Sequence, residues 1–305
     1  MKNPYVNVIV NPAAGAGKTG RAWPHIRDIF THQGLKFDHT ITEGPGHAVE
    51  LAGEAVGRGY ETVVSVGGDG TINEVVNGLH QVGGRDHVRV GCISTGTGGD
   101  YARTLGVPKS IADACGRIIE PRTKAVDLGV VEFGSNGARQ ERLFANFAGM
   151  GFDAEIVRRT TQQFKSFGSL PSYLLGALST LVSYRNRDVV VTIDGEDTEH
   201  RVCTVIMNNG RYGGGGMFTA PDAELDDGLF DVLIVGDLGK LDFLVSLPRI
   251  YRGTHLTHRK IQMKKAREVT VRSRNGRLHL QADGEWLGKI PATFKILPKA
   301  LKVII

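Results

Sequence analysis

The chain has 305 residues, is 41% hydrophobic and carries a formal net charge of +5. This length and composition suit two globular domains rather than a disordered or fibrous chain, and the mildly basic charge suits an anionic partner such as nucleotide phosphate, nucleic acid or an acidic membrane surface. The three cysteines, Cys92, Cys115 and Cys203, form no CxxC pair, so neither a disulfide framework nor a zinc site is indicated.

The first 120 residues alternate apolar, β-branched runs with helical patterns. Strands are predicted over 5–10, 35–41, 61–66 and 88–93, and helices near 19–33, 46–58, 71–80 and 109–119. Strands that alternate with helices at this spacing predict a parallel sheet with crossover helices. The opening MKNPYVNVIVNP meets Asn and Pro before any long apolar stretch, so we expect a first strand there and not a signal peptide.

After about residue 123, short strand-like runs follow one another with few helices between them. The strand candidates lie at 124–133, 142–151, 188–195, 201–210, 229–235, 268–273, 277–284 and 292–297, and the helix candidates near 153–165, 169–184 and 239–251. This pattern predicts a β-rich, mostly antiparallel sandwich. We therefore expect an α/β domain over 1–123 and a β-rich domain over 124–305, with a final strand that could return to the first domain.

A first glycine-rich loop, NPAAGAGKTG, follows the first strand. Gly15, Gly17 and Gly20 match the dinucleotide-binding pattern GxGxxG, a match that is weak by itself. A Walker A loop is excluded because Pro12 stands where its first glycine is required. The small residues and Lys18 suit the close approach of backbone N–H groups and one cation to an anion, although a plain strand-to-helix turn is also compatible with the sequence.

The second glycine loop, GGDGT at 67–71, is more specific. Its glycines permit close backbone approach to a ligand, Thr71 can cap the next helix, and that helix directs its positive end at the loop. A carboxylate at the centre would repel a phosphate, so Asp69 indicates an intervening divalent cation. Mg²⁺ takes one or two carboxylates together with phosphate and water oxygens.

A third loop, GTGGD at 96–100, again places an acid, Asp100, at a predicted helix start. Because the carboxyl ends of parallel strands meet at one edge of a sheet, the three loops together predict one phosphate-binding crevice. The β-rich half adds two acidic turns. The stretch APDAELDDG suits either a solvated turn or a hard-cation site, and DGE at 283–285 is typical of a hairpin turn.

These motifs resemble the soluble lipid kinase family typified by bacterial diacylglycerol kinases and sphingosine kinases, whose nucleotide domain is similar to those of NAD kinases and phosphofructokinases. The matching stretches run in family order from end to end: VNPAAGAGK, TEGPGHA, VGGDGTINEVVNGL, GTGGDYAR, VDLG, NFAGMGFDAEI, NNGRYGGGGMFTAPDAELDDGLFDV and DGE. The GGDGT loop set among the others makes the resemblance specific.

The resemblance and the loop chemistry together imply an ATP site. Its residues would be Asn11, Pro12, Ala13, Ala14, Gly15, Lys18, Thr42, Gly67, Gly68, Asp69, Gly70, Thr71, Ile72, Asn73, Gly96 and Thr97. The resemblance further implies that Asp69, Asp100 and Asp127 organise Mg²⁺ and its waters, and that Glu285 is the general base. It also implies a structural metal held by the Asp227 side chain and the carbonyls of Glu224 and Leu229. Gly99 stands where the family usually has Asn, which leaves nucleotide preference or turnover open.

We therefore expect ATP- and Mg²⁺-dependent phosphorylation of a lipid hydroxyl, that of diacylglycerol or a related lipid alcohol. The protein would be cytoplasmic and peripheral at the membrane, with a homodimer left open. An NAD kinase-like enzyme with a soluble substrate and a nucleotide- or lipid-binding module with impaired catalysis are the alternatives. Nucleic-acid binding is not expected, because no helix-turn-helix, zinc or RNA-binding signature is present.

Two stretches are candidates for lipid contact. The basic run 259–277, with Lys264, Lys265 and Arg267, suits an anionic membrane surface, and it suits a solvated strand face equally well. The apolar helix candidate 169–184 could line an acyl cleft or be an ordinary core helix, and its apolar stretch is shorter than the ~20 residues that a spanning helix needs.

Overall fold

The computed structural model describes residues 6–96, 98–134, 139–163, 179–273 and 278–305. The chain forms two compact units, an N-terminal unit of Met1–Asp127 with Lys299–Ile305 and a C-terminal unit of Leu128–Pro298. The observed division at Asp127 thus lies slightly beyond the predicted one at 123, and the end of the last strand belongs to the N-terminal unit. No helix of the described residues is long and apolar enough to cross a membrane.

The N-terminal unit contains a parallel sheet with the strand order β2-β1-β3-β4, extended beyond β4 by the end of β16. Its first four strands are β1 (Val6–Val10), β2 (Phe37–Ile41), β3 (Thr62–Gly67) and β4 (Arg89–Ser94), and β16 is Ala292–Ile304. Its helices are α1 (Lys18–His32), α2 (His47–Gly57), α3 (Asp69–Gln81), α4 (Asp100–Thr104) and α5 (Ile111–Ile119). The predicted order of strands and helices is confirmed here.

Helices cover both faces of this sheet, which explains why the residues of β1 and β3 are buried throughout. On one face, Trp23, Ile26 and Phe30 of α1 pack with α5 over the strands. Elsewhere in the unit α2 packs against α3, where a Cβ added at Gly78 would lie 2.2 Å from the carbonyl oxygen of Val49. Gly78 therefore allows these two helices to approach closely.

The C-terminal unit is a sandwich of two sheets. One is antiparallel with the order β12-β11-β10-β7-β14-β15, and the other contains β5, β6, β8, β9, β13 and the first part of β16. The strands are β5 (Thr123–Phe133), β6 (Gln140–Phe144), β7 (Phe147–Gly151), β8 (Arg187–Ile193), β9 (Glu196–Val202), β10 (Thr204–Asn208), β11 (Phe230–Val235), β12 (Ile261–Ala266), β13 (Glu268–Ser273), β14 (His279–Ala282) and β15 (Glu285–Lys289). The longer helices of its described residues are α6 (Phe152–Gln163) and α7 (Lys240–Tyr251), and residues 179–183 are also helical.

The core of this unit lies between the two sheets. The rings of Phe144 and Phe230 stack with their centroids 5.6 Å apart, and Phe294 meets Phe144 edge-on at 6.4 Å. The outer face of the six-stranded sheet packs against the helices, for example through Phe152 of α6 and Phe243 of α7, whose ring centroids are 4.6 Å apart. The predicted β-rich domain is thus confirmed.

Two details differ from the sequence prediction, and two predicted segments can be located. The predicted strand 142–151 is two strands, β6 and β7, because the chain bends at 145–146. The polar edge strand β9 was not predicted, since its residues lack an apolar alternation. The basic run 259–277 forms β12 and β13, and most of the helix candidate 169–184 lies outside the described residues.

Candidate functional site

The glycine-rich loops that follow β1, β3 and β4 meet at the carboxyl ends of these strands. The N–H groups of Thr95 and Gly96 donate to the carbonyl oxygen of Gly67 at 2.9 and 3.1 Å. The first loop joins through the amide of Asn11, which donates to Thr71 Oγ1 at 3.0 Å. The structure therefore brings the three loops together, as expected from a parallel sheet.

The glycines in these loops permit contacts that a side chain would block. A Cβ added at Gly15, whose φ is +62°, would lie 2.6 Å from the Thr95 carbonyl oxygen. A Cβ added at Gly96 would lie 2.6 Å from the Cα of Gly68. Alanine at either position would push neighbouring loops apart, so the loop sequence fixes the shape of this edge.

The N-terminus of α3 is open to an anion. Gly68 caps this helix without a side-chain hydrogen bond, and within the described part of the chain the N–H groups of Asp69 and Gly70 have no hydrogen-bond acceptor. The first N–H groups of a helix lack intrahelical partners and carry its positive end. Two N–H donors of the GGDGT loop are therefore available for a phosphate oxygen.

The first loop offers fewer donors than its sequence suggests. Its N–H groups at Ala14, Gly17 and Lys18 donate to carbonyls within the loop, and that of Ala13 donates to Asn11 Oδ1. Pro12 has no N–H, and the Lys18 side chain is exposed. The N–H groups of Gly15 and Ala16 have no acceptor within the described residues, so this loop offers two N–H donors and the Lys18 charge.

Asp69 holds the third loop. Its two carboxylate oxygens accept the N–H groups of Asp100 at 3.0 Å and Tyr101 at 3.1 Å, the first two residues of α4. A carboxylate has about four lone-pair positions, so these two bonds leave acceptor capacity for a cation or its waters. Asp100 is buried beside it and pairs with Arg103 at 3.2 Å.

Other predicted site residues lie inside the fold. Asp127 is fully buried and accepts the N–H of Lys299 at 2.6 Å, which ties down the returning end of the chain. The side chains of Thr42, Ile72 and Asn73 are also buried. Asp127 therefore has an evident structural role, and the other three can support the loops from beneath. Thr97 lies outside the described residues.

Cys92 lies beneath the GGDGT loop and lines, with Ser65 and Ile93 among others, a cavity of about 10 Å³, roughly the space of one water. Burial, together with the nearby charge of Asp69, raises the pKa of the Cys92 thiol to about 12. The thiol is therefore protonated at neutral pH. All three cysteines are free and buried, which fits their interpretation as small core residues.

In the C-terminal unit, the DGE turn joins β14 to β15 and is fixed by Asp283. This residue has a positive φ of 46°, and its carboxylate accepts the N–H groups of Ala145, Asn146 and Phe147 at 2.7, 3.1 and 2.9 Å. Such charge-assisted bonds are stronger than those between neutral groups. The sequence predicted a turn here. It did not predict the hydrogen bonds from the backbone of residues 145–147 to Asp283, because these residues are remote from Asp283 in sequence.

The same turn is also held by the buried side chain of Gln281, which is itself hydrogen-bonded to Asp153. Gln281 accepts the N–H of Gly284 at 3.0 Å and donates to Asp153 Oδ2 at 2.9 Å. Burial raises the pKa of Asp153, while hydrogen bonds from Thr204 and Gln281 oppose the shift. Asp153 and Gln281 were not predicted as site residues, and they hold the turn from the sheet side.

Glu285, the predicted base, follows this turn with its side chain about half exposed. Arg142 of β6 donates to Glu285 Oε2 at 2.6 Å. The pair fixes the direction of the carboxylate. Arg142 is a further residue that sequence reasoning missed, since the two positions are 143 residues apart.

The acidic turn near Gly228 is paired with a lysine side chain of the same chain. Asp227 accepts the N–H of Leu229 at 3.0 Å and pairs with Lys265 Nζ at 2.6 Å, and Lys265 also lies 3.8 Å from Asp231. Burial and the neighbouring acids raise the pKa of Asp231, while Lys265 opposes the shift.

No group of three or more His, Cys, Asp or Glu side chains suited to a metal occurs among the described residues. The ammonium of Lys265 occupies Asp227 Oδ2, and a metal bound there would have to displace it or share the carboxylate. The metal site of Glu224, Asp227 and Leu229 thus stays a prediction.

Comparison with known families divides the chain at nearly the same place as the structure. Residues 5–131 match the diacylglycerol kinase catalytic domain. Residues 146–305, more than half of the chain, match the YegS C-terminal NAD kinase beta sandwich-like domain. The first match contains all three glycine-rich loops, and the second contains the DGE turn.

Whole proteins and solved structures agree with these matches. The chain is 30% identical over 298 residues to diacylglycerol kinases of Staphylococcus carnosus and Bacillus subtilis, covering 97% of this chain and 93% and 95% of theirs. A crystal structure of a diacylglycerol kinase from Bacillus anthracis is 25% identical with a TM-score of 0.75, covering 100% of this chain and 97% of the other. Yeast NADH kinase, 12% identical with a TM-score of 0.53 over 99% of this chain and 84% of its own, shares the fold alone. The chain therefore belongs to the diacylglycerol kinase family and is a lipid kinase.

Proposed function

We propose that this lipid kinase transfers the γ-phosphoryl group of ATP, with Mg²⁺, to the hydroxyl of diacylglycerol or a related lipid alcohol. The observation that carries the proposal is the open N-terminus of α3, where the available N–H groups of Asp69 and Gly70 lie beside a carboxylate with acceptor capacity left. N–H donors suit a phosphate, and the carboxylate suits the cation that accompanies it.

The nucleotide end of the reaction belongs to the N-terminal unit. The N–H groups of Asp69 and Gly70 bind a phosphate oxygen, and the exposed Lys18 adds a positive charge that can reach the nucleotide. Asp69 and Asp100 are the side chains that would hold Mg²⁺ or its waters, because Asp69 keeps free lone pairs and Asp100 lies beside it. When bound, Mg²⁺ neutralises the phosphate charge that develops during transfer.

The acceptor end belongs to the C-terminal unit. The Glu285 carboxylate accepts the proton of the lipid hydroxyl, the hydroxyl oxygen forms the new P–O bond, and ADP leaves with the electrons of the broken P–O bond. General-base catalysis of this kind typically contributes 10²–10⁴-fold in rate. Arg142 orients Glu285, while Asp283 and Gln281 hold the turn on which it lies.

The experiment is incubation of the purified protein with labelled ATP, Mg²⁺ and a panel of acceptors: diacylglycerol, a sphingoid base, phosphatidylglycerol, a total lipid extract and NAD. We expect the label in diacylglycerol or in one lipid alcohol of the extract. Label in NAD alone would favour a soluble-substrate kinase, and ATP binding without transfer to any acceptor would favour an impaired binding module. Either result would contradict the proposal.

A separate variant tests the role of Glu285 as the general base. Glu285→Gln should lower kcat by about 10²–10⁴-fold, because the amide cannot accept the proton, while ATP binding is retained. Glu196→Gln on the exposed edge strand β9 is the control and should have the activity of the unmodified chain. A Glu285→Gln protein as fast as the unmodified chain would remove Glu285 from the mechanism.

A further inference from the structure

Helix α7, KLDFLVSLPRIY, is apolar on more than one face. Its inner side is anchored in the C-terminal unit by Phe243, whose ring packs against Phe152, and by the buried Ser246. The carbonyl oxygen of Ile250 accepts the N–H of Phe218 at 3.0 Å. The helix is therefore firmly docked, and its remaining exposed surface is not a consequence of loose packing.

The opposite side of α7 exposes an apolar ridge. Leu241 is 79% exposed, Val245 64% and Leu244 48%, and a spacing of three and four residues places them on one face. Val182, 66% exposed, joins them, because the Lys240 ammonium donates to the carbonyl oxygen of Val182. We call Val182, Leu241, Leu244 and Val245 the apolar ridge.

A surface helix normally turns polar residues outward. In α2, for example, Glu50 and Glu54 lie outside the buried face. The ridge on α7 reverses this rule over a little more than one helical turn. Contiguous exposed apolar groups of this kind mark a surface that binds another apolar phase or molecule.

The chain segment that carries the ridge is rich in positive charge. The segment 240–265 contains a single acid, Asp242, and these basic residues: Lys240, Arg249, Arg252, Arg259, Lys260, Lys264 and Lys265. Lys260 pairs with Asp242 and Lys265 with Asp227. Across the described chain, none of the ion pairs involves Arg249, Arg252 or Arg259, whose guanidinium groups are suited to bind phosphate.

We propose that α7 lies in the surface of an anionic lipid bilayer, with the apolar ridge among the upper acyl chains and Arg249, Arg252 and Arg259 on lipid phosphates. An apolar face flanked by cations is the composition of helices that bind in the plane of such a surface. The inference rests on the proposed function, since a lipid kinase meets its substrate in a bilayer, although binding itself requires no catalysis.

This surface shares only Arg259 with the basic run 259–277 and otherwise differs from the surface that the run predicted. Lys265, the centre of that run, is held by Asp227 and lies 3.8 Å from Asp231. Arg272 pairs with Asp197 at 2.8 Å. These charges are partly neutralised within the protein, whereas the arginines near α7 are not, and the basic run by itself has no exposed apolar ridge.

A second copy of this chain would fit the apolar ridge and its arginines less well than an anionic bilayer. In a symmetric dimer the same patch would meet itself, so the arginines around one ridge would lie near those of the other. Like charges brought together in this way oppose association, whereas anionic headgroups attract them.

The test is sedimentation of the full chain with vesicles, without ATP. We expect partition onto phosphatidylglycerol vesicles to exceed that onto phosphatidylcholine vesicles and to weaken with added salt. The double variant Leu241→Asp with Val245→Asp should partition at least about tenfold less. Replacing Arg249, Arg252 and Arg259 by Gln should weaken partition by about fivefold per residue.

Val82→Asp is the matched control, because Val82 is 51% exposed and lies in the N-terminal unit, so its partition should equal that of the unmodified chain. The arginine variant keeps the test informative if the double variant does not fold. Partition of both variants equal to that of the unmodified chain would overturn the inference. So would a dimer that the double variant makes monomeric while vesicle binding is unchanged.

Failure of this inference is separable from failure of the proposed function. If the chain binds vesicles through α7 but phosphorylates no lipid, the docking surface stands and the proposed function falls. If it phosphorylates diacylglycerol while the variants bind vesicles normally, the proposed function stands and the docking surface falls. The double variant should lose turnover on vesicles and keep it on a dispersed short-chain diacylglycerol.

Discussion

Two carboxylates beside glycine turns, one in each unit, have partners of different charge. Asp69 in the N-terminal unit accepts two neutral backbone N–H groups at the start of α4. Asp227 in the C-terminal unit accepts one N–H and pairs with the ammonium of Lys265 at 2.6 Å. The first acid therefore has no cationic side chain beside it within the described residues, whereas the second is balanced by a cation of the same chain.

The difference separates a functional from a structural use of the same sequence signal. An acid in a glycine turn suggests a cation site in both cases, but only Asp69 lacks a cationic side chain among the contacts of the described residues. Backbone donors orient its carboxylate without cancelling its charge. This arrangement suits the divalent ion that the proposed function assigns to Asp69.

The largest expected effect is that of Asp69→Asn. The amide removes the charge and presents an N–H₂ group to one of the two N–H donors of α4, so we expect kcat/KM to fall by about 10²–10³-fold. The Mg²⁺ concentration for half-maximal rate should rise, and stability should fall by about 1–2 kcal/mol through the lost helix cap. Steady-state rates across a Mg²⁺ titration and urea unfolding measure these changes.

The control for this change is Asp86→Asn, whose side chain is 74% exposed and lies away from the loops. It should leave the rate, the Mg²⁺ dependence and the stability unchanged. If Asp69→Asn also kept the Mg²⁺ dependence of the unmodified chain, Asp69 would not hold the cation, and the two turns would not differ in function.

A smaller effect is expected from Lys265→Met, which keeps the length of the side chain and removes its charge. Asp227 and the buried Asp231 would then repel each other without compensation, so the free energy of unfolding should fall by about 1–2 kcal/mol. Millimolar Ca²⁺ or Mg²⁺ should restore part of this loss, because the turn would then take an external cation.

Lys264→Met is the matched control, since the neighbouring Lys264 is exposed on the same strand. We expect it to unfold like the unmodified chain with or without added cation. Equal stability of the Lys265→Met and Lys264→Met proteins would show that the internal cation does not matter to the acidic turn.

Glu155 is a third carboxylate, paired like Asp227 with cations of the chain, and its contribution to stability depends on pH. Burial opposes its ionisation, but hydrogen bonds and charges from Arg158 and Arg159 overcome this effect and lower its pKa to about 2 from an ordinary 4.5. A carboxyl with a lowered folded-state pKa stabilises the protein above pH 4.5, and this contribution is lost as the pH falls toward 2.

The unfolding free energy of the unmodified chain should therefore drop more steeply between pH 4.5 and 2 than that of Glu155→Gln. Urea unfolding across this range measures the two slopes. Parallel curves would mean that the two arginines do not favour the ionised form of Glu155 in the folded state.

The predictable parts of the molecule are those whose partners are close in sequence. Each glycine loop follows a buried strand and precedes a helix, so the local pattern predicted the sheet edge and the position of Asp69 and Asp100 on it. The alternation of short apolar strands predicted the β-rich unit for the same reason.

The unpredictable parts depend on long-range contacts. The Arg142–Glu285 pair joins positions 143 residues apart, and the hydrogen bond from the Phe147 N–H to Asp283 joins positions 136 residues apart. Periodicity carries no information about such pairs, because it reports which face of an element is buried and not what lies against it. The ion pair of Lys265 with Asp227 belongs to the same class.

The smallest expected effect concerns Gly99, which stands where the family usually has Asn. Gly99 adopts the left-handed conformation, with φ 61° and ψ 33°, as the N-cap of α4. Asn tolerates this conformation better than other residues with a Cβ. The added Cβ would lie 2.8 Å from the Ser94 hydroxyl oxygen and 3.9 Å from the Ser94 Cβ, so the hydroxyl would have to rotate away.

Because Asp69 already binds the first two N–H groups of α4, an amide at position 99 is not needed to cap this helix. We expect Gly99→Asn to change kcat/KM for ATP by no more than about threefold and stability by less than about 1 kcal/mol. Gly99→Val, with a β-branched side chain in the left-handed region, should cost about 1–2 kcal/mol. A tenfold gain in kcat/KM for Gly99→Asn would instead show that an amide at position 99 contacts the nucleotide.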